Sequence, residues 1–77
     1  MKIVEVRPYQ EKSLLITLDD GTKGELDVSP WLQYEAFAEL ADTKEFIQVH
    51  NGGYFIEWNC GADLSIDTVI AHLKTLK

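Results

Sequence analysis

Cysteine occurs once in this sequence, as Cys60. One thiol cannot pair within its own chain, and small secreted domains normally rely on several bridges, so the expected setting is reducing and cytoplasmic. Basic residues are also scarce: 7 Lys and Arg stand against 13 Asp and Glu, for a net charge of -6. A phosphate backbone repels such a chain, which argues against direct nucleic-acid binding. No run approaches the about 18 apolar residues of a membrane span, so no membrane partner is expected. Met1 to Arg7 alternates charged and apolar side chains and lacks the apolar run of a signal peptide, so the chain is expected to be mature and soluble from its first residue. No repeat, linker or low-complexity tract interrupts the 77 residues, which are expected to form one domain, 1–77.

What is present reads as an α+β pattern. Ile3-Val4-Glu5-Val6 is β-branched and closed by Pro8, which has no N–H for a sheet ladder. Ser13 to Leu18 and Lys23 to Val28 flank Asp19-Asp20-Gly21-Thr22, a turn whose Asp-Gly tolerates positive φ. The spacing predicts a three-stranded antiparallel meander over 2–28, with Leu14, Ile16 and Leu18 on one face. Ser29 as N-cap and Pro30 in the first helical position predict a helix over 30–40, with Trp31, Tyr34, Phe37 and Leu40 recurring every three residues. Asp42-Thr43-Lys44-Glu45 has the form of a capping box and predicts a second short helical turn, the register near Phe46 being left open.

Asn51-Gly52-Gly53 separates 47–50 from 54–58 as a second hairpin, with Tyr54, Ile56 and Trp58 on one face and Phe55 and Glu57 on the other. Ser65 caps a last helix whose Ile66, Val69, Ile70 and Leu73 follow the 3.6-residue period. Asp67 in its first turn and Lys74 and Lys77 in its last suit the helix dipole. The order β-β-β-α-β-β-α predicts an antiparallel sheet with two main helices packed on it.

Little in the sequence points to catalysis. His50, Cys60 and His72 show no spacing that would put two metal ligands on one local element, so no metal or cofactor is expected. A Cys60 nucleophile with a histidine base is disfavoured, because a free thiol in so small a fold need only be tolerated. Asp63 reads as a loop-closing acceptor of backbone N–H groups. Gly21 to Gly24 lacks the spacing and following helix of a phosphate loop. No catalytic residue is assigned.

Charge is unevenly spread. Residues 25–45 hold Glu25, Asp27, Glu35, Glu39, Asp42 and Glu45 against Lys44 alone, six minus one, or five of the six net negative charges. Such a segment can steer a basic protein partner by long-range attraction. The aromatic residues Trp31, Tyr34, Phe37, Tyr54 and Trp58 are expected mainly in the core between helix and sheet, with one side able to present a patch to a partner. A sheet edge offers a further route, and a homodimer by either is foreseen.

The ordered motifs Val6-Arg7-Pro8, Asp20-Gly21-Thr22, Asp27-Val28-Ser29-Pro30 and Trp58-Asn59-Cys60-Gly61-Ala62-Asp63-Leu64 span nearly the whole chain. In their order and spacing the chain resembles the small bacterial family known as domain of unknown function 2442. Where members often carry Asn or Asp before the glycine, this sequence has Cys60. The resemblance carries no catalytic residues. It implies a genetic setting beside a second small protein, in arrangements that look like toxin–antitoxin pairs. Some longer members append a helix-turn-helix DNA-binding domain, for which this chain is expected to leave no room.

The resulting expectation is a non-enzymatic protein-interaction domain, the antitoxin-like member of a two-protein module. It would engage a small basic protein through Glu25, Asp27, Trp31, Tyr34, Glu35, Glu39 and Asp42. The alternative is a transcription-regulator component that acts with a separate DNA-binding subunit.

Overall fold

The computed structural model describes residues 1–75, and its elements follow from local sequence chemistry. β1 (Ile3–Pro8), β2 (Ser13–Leu18) and β3 (Lys23–Asp27) form the expected antiparallel meander. The β2–β3 turn is closed by Gly21 at φ 90°, and the Asp20 carboxylate accepts the Thr22 N–H at 2.9 Å. Alternation in β2 buries Leu14, Ile16 and Leu18, the face anticipated for them, because successive strand residues point to opposite sides.

The segment 29–41 is not the α-helix predicted over 30–40. It is two 3-10 helices, Ser29–Gln33 and Glu35–Ala41, separated by Tyr34 in extended backbone at φ -92°, ψ 141°. The strict three-residue recurrence of Trp31, Tyr34, Phe37 and Leu40 matches the period of a 3-10 helix, three residues per turn, better than 3.6. Ser29 is not the N-cap either. That position is Val28, without a side-chain cap, while Asp27 Oδ1 accepts the Ser29 N–H at 2.9 Å. α1 (Thr43–Phe46) begins as expected at Asp42, whose carboxylate accepts from the Lys44 N–H.

β4 (Val49–Asn51) and β5 (Phe55–Trp58) form the second hairpin, in which Gly53 has φ 88°. Ile56 and Trp58 turn inward, whereas Tyr54 precedes the strand and is exposed. Two further strands come from segments read as loop and helix end. β6 (Asp63–Ser65) pairs with β5, and β7 (Lys74–Thr75) pairs with β3. Between them α2 (Ile66–His72) starts at the predicted cap, with Ser65 Oγ accepting the Thr68 N–H at 3.3 Å. Lys74 therefore lies in a strand and His72 takes the last helical turn, while Lys77 lies outside the described residues.

The class is α+β, with two antiparallel sheets where one was expected: a four-stranded sheet in the order β1-β2-β3-β7 and a three-stranded sheet in the order β4-β5-β6. One apolar cluster joins them. It combines Ile3, Leu14, Ile16 and Leu26 of the larger sheet with Ile56, Trp58 and Leu64 of the smaller, and Leu40, Phe46 and Val69 close it. Trp58 is central: its indole N–H donates to the Phe46 carbonyl at 2.9 Å, and its ring lies 6.1 Å from Phe46 and 6.4 Å from Phe37. A buried indole N–H without a partner would cost free energy, so this bond fixes the ring's orientation.

Candidate functional site

The acidic segment occupies the surface that runs from the end of β3 through both 3-10 helices to α1. Asp27, Glu35, Glu39 and Asp42 are exposed, and Glu25 and Glu45 are half-buried. Among the described residues the one ion pair joins Arg7 to Glu5 at 2.9 Å, so none of these six carboxylates is held in one. Their charge reaches solvent, where it adds to a field felt over roughly a Debye length, about 8 to 10 Å at moderate salt.

The predicted residues separate into two groups. Glu25 and Asp27 line a groove of about 350 Å³ with His72 and Lys74. A second groove of about 240 Å³ lies between Pro30, Trp31, Gln33, Tyr34 and His72. His72 belongs to both, so Glu25, Asp27, Trp31 and Tyr34 are brought together around it. Glu39 and Asp42 instead border a separate depression with Glu45, and Glu35 stands exposed on the second 3-10 helix.

Tyr34 and Tyr54 depart from the core expectation, and Trp31 meets it only in part. Trp31 is half-buried, its ring 5.0 Å from that of His72 with the planes at 80°. Tyr34 is 56% exposed. The break at Tyr34 explains this, since its extended backbone takes the side chain off the face shared by Phe37 and Leu40. Tyr34 is one of several large apolar side chains at the surface, with Tyr9, Ile47, Tyr54 and Phe55, and it stands beside Trp31 in the second groove.

His72 and Lys74 were not among the residues singled out for binding. They reach the groove because α2 and β7 return the chain to β3, where Lys74 pairs with Glu25. That return depends on Gly24: a Cβ there would lie 2.5 Å from Leu73 Cγ and 2.9 Å from the Lys74 carbonyl oxygen. The only local signal was the glycine itself, within a strand that otherwise alternates.

The remaining candidates sit elsewhere. His50 Nε2 is 2.6 Å from Asn59 Oδ1, and the Asn59 amide in turn donates to Gln48 Oε1. Cys60 is a half-buried free thiol. Asp63 begins β6 opposite Glu57, and among the described residues its carboxylate accepts no hydrogen bond, so it does not close the loop as expected. Gly61, at φ 97°, makes that turn with the help of the Trp58 carbonyl. Among the described residues no three His, Cys, Asp or Glu side chains converge to hold a metal ion, and no helix is long and apolar enough to cross a membrane.

Comparison with known families agrees with the ordered motifs and covers both hairpins, the acidic segment and α2: the family model described as Protein of unknown function (DUF2442) matches residues 3–75. The chain belongs to this family. Membership in DUF2442 thus embraces every element that builds the two grooves, from β3 to β7. Searches of curated proteins and of solved structures give no match to the chain.

Proposed function

We propose that this chain is a non-enzymatic protein-interaction domain that engages a small basic protein through the face formed by residues 25–45, as the antitoxin-like half of a two-protein module. The observation that carries this reading is the exposure of Glu35, Glu39 and Asp42 on one continuous segment, outside any ion pair among the described residues. Uncompensated charge of one sign concentrates an oppositely charged partner and speeds its encounter, and it repels acidic competitors. Tyr34 and Trp31 beside that charge supply the aromatic contact area that interface centres favour.

Affinity capture on the immobilised chain tests this. The wild type is compared with Glu35→Lys/Glu39→Lys, a pair that leaves the Asp42 helix cap intact, and with a triple variant adding Asp42→Lys. A basic partner recovered by the wild type at low salt is lost from both variants and from the wild type at high salt. Equal recovery on all three baits contradicts the proposal.

A further inference from the structure

The two grooves that share His72 combine features suited to one kind of side chain. One wall is aromatic, from Trp31 and Tyr34; the adjoining floor carries the carboxylates of Glu25 and Asp27. We infer that this composite groove receives an arginine side chain of the basic partner, an inference that rests on the reading just proposed. A planar guanidinium stacks on an aromatic face and also donates in a fork to a carboxylate. A lysine ammonium is more strongly hydrated and lacks the planar surface, so it uses only half of what the groove offers. A purely apolar side chain would desolvate Glu25 and Asp27 while offering them no donor, and an acidic one would face the segment's five net negative charges.

Lys74 gives the groove an occupant of its own. It stands opposite Glu25 across the β3–β7 pair and lines the same floor, without forming an ion pair there. Its ammonium competes with an incoming guanidinium for the Glu25 field, so an arginine binds by displacing this influence. Asp27 contributes less freely than Glu25, because one of its oxygens already accepts the Ser29 N–H. Glu25 is thus the main carboxylate of the subsite and Tyr34 its main open ring.

The test is an NMR titration of the ¹⁵N-labelled chain with N-acetyl-arginine amide and, in parallel, its neutral isostere N-acetyl-citrulline amide. The arginine compound is expected to shift the Trp31 indole N–H saturably, and the citrulline compound to leave it in place. Tyr34→Ala weakens the arginine response about two- to fivefold, the range of an exposed cation–π contact. Glu25→Gln weakens it by a similar factor, and Lys74→Gln strengthens it about two- to fivefold, the size of an exposed charge interaction. The dispersion of each variant's amide spectrum reports that it is folded.

A response equal for citrulline, no saturable response at all, or an unchanged affinity in folded Glu25→Gln overturns the inference. Failure here and failure of the broader proposal are separable. A basic partner still captured through Glu35 and Glu39 while arginine does not bind removes the subsite alone. Arginine binding with discrimination against citrulline, but no captured partner, removes the broader reading and leaves the groove's chemistry.

Discussion

The rings of Trp31 and His72 meet edge to face, 5.0 Å between centroids and 80° between planes, and so tie the first 3-10 helix to the last turn of α2. The contact lies where the two grooves adjoin, at the His72 they share, and is where the C-terminal segment meets the acidic one. It is half-exposed, so its contribution to stability is expected to be modest. Trp31→Ala should lower the unfolding free energy by about 1–2 kcal/mol, and His72→Ala by about 0.5–1 kcal/mol. A double-mutant cycle in urea should return a coupling of about 0.5–1 kcal/mol, and additivity would show that the rings do not support one another.

Trp58 presents the opposite case, a ring wholly within the core. Trp58→Phe keeps an aromatic surface but leaves the Phe46 carbonyl without its 2.9 Å donor. A loss of about 1–3 kcal/mol follows from the unsatisfied carbonyl together with the smaller ring, and Trp58→Ala should cost about 3–5 kcal/mol. Tyr34→Ala, by contrast, should stay within about 0.5 kcal/mol of wild type, as an exposed substitution does. Urea midpoints for the three variants check the order.

Asn51 joins the two sheets. Its Oδ1 accepts the Gly53 N–H at 2.8 Å, and its Nδ2 donates to the Ile3 carbonyl at 3.0 Å, beside the Ile3 N–H bond to the Gly53 carbonyl at 2.7 Å. Asn51→Asp preserves the turn acceptor but replaces the donor with an oxygen facing a carbonyl. It should destabilise by about 1–3 kcal/mol, with amide exchange rising first at Ile3. Protection at Ile3 equal to wild type would mean that the turn alone holds the joint.

The strands bounded by Asp20-Gly21 and by Asn51-Gly52-Gly53 were legible in the sequence because a hairpin is a local event, set by turn chemistry and alternation. The caps at Asp42 and Ser65 were legible for the same reason. The 29–41 segment was misread because the three-residue recurrence of Trp31, Tyr34, Phe37 and Leu40 passes for one face of an α-helix, although it fits the 3-10 period better, and nothing local announces the break at Tyr34. β6 escaped notice because it is three residues long and follows β5 across a short turn read as loop, and β7 because it is two residues long and is defined by pairing with β3, far away in the sequence. Leu73 completes the periodic pattern of α2, so Lys74 read as helix, and its place beside Glu25 stayed hidden. The acidic residues of the candidate site were visible by counting. The groove that collects Glu25, Asp27, Trp31 and Tyr34 around His72 was not, because it is made by the returning chain.

Asp20 provides a pH signature. The Thr22 backbone N–H, and then the Thr22 hydroxyl, favour its ionised form and hold its carboxyl below the usual carboxylate range. A group depressed in the folded state stabilises it above the unfolded-state value, and this contribution is lost as pH falls through the folded value. The carbon-detected titration midpoint of Asp20 should therefore lie below that of an aspartate in an unstructured peptide. In Asp20→Asn, stability should fall less steeply than in wild type across the acid limb. An Asp20 midpoint equal to that of the unstructured peptide would contradict the assignment.

The central claim is that the acidic excess acts as a located binding face for a basic partner. Amide chemical-shift mapping during titration with a short arginine- and lysine-rich peptide tests it most directly. The account predicts saturable perturbations confined to residues 25–45 together with His72 and Lys74, abolished by Glu35→Lys/Glu39→Lys. Perturbations of equal size at Asp19, Asp20, Asp63 and Asp67 would show that the peptide responds to net charge alone, and would contradict it.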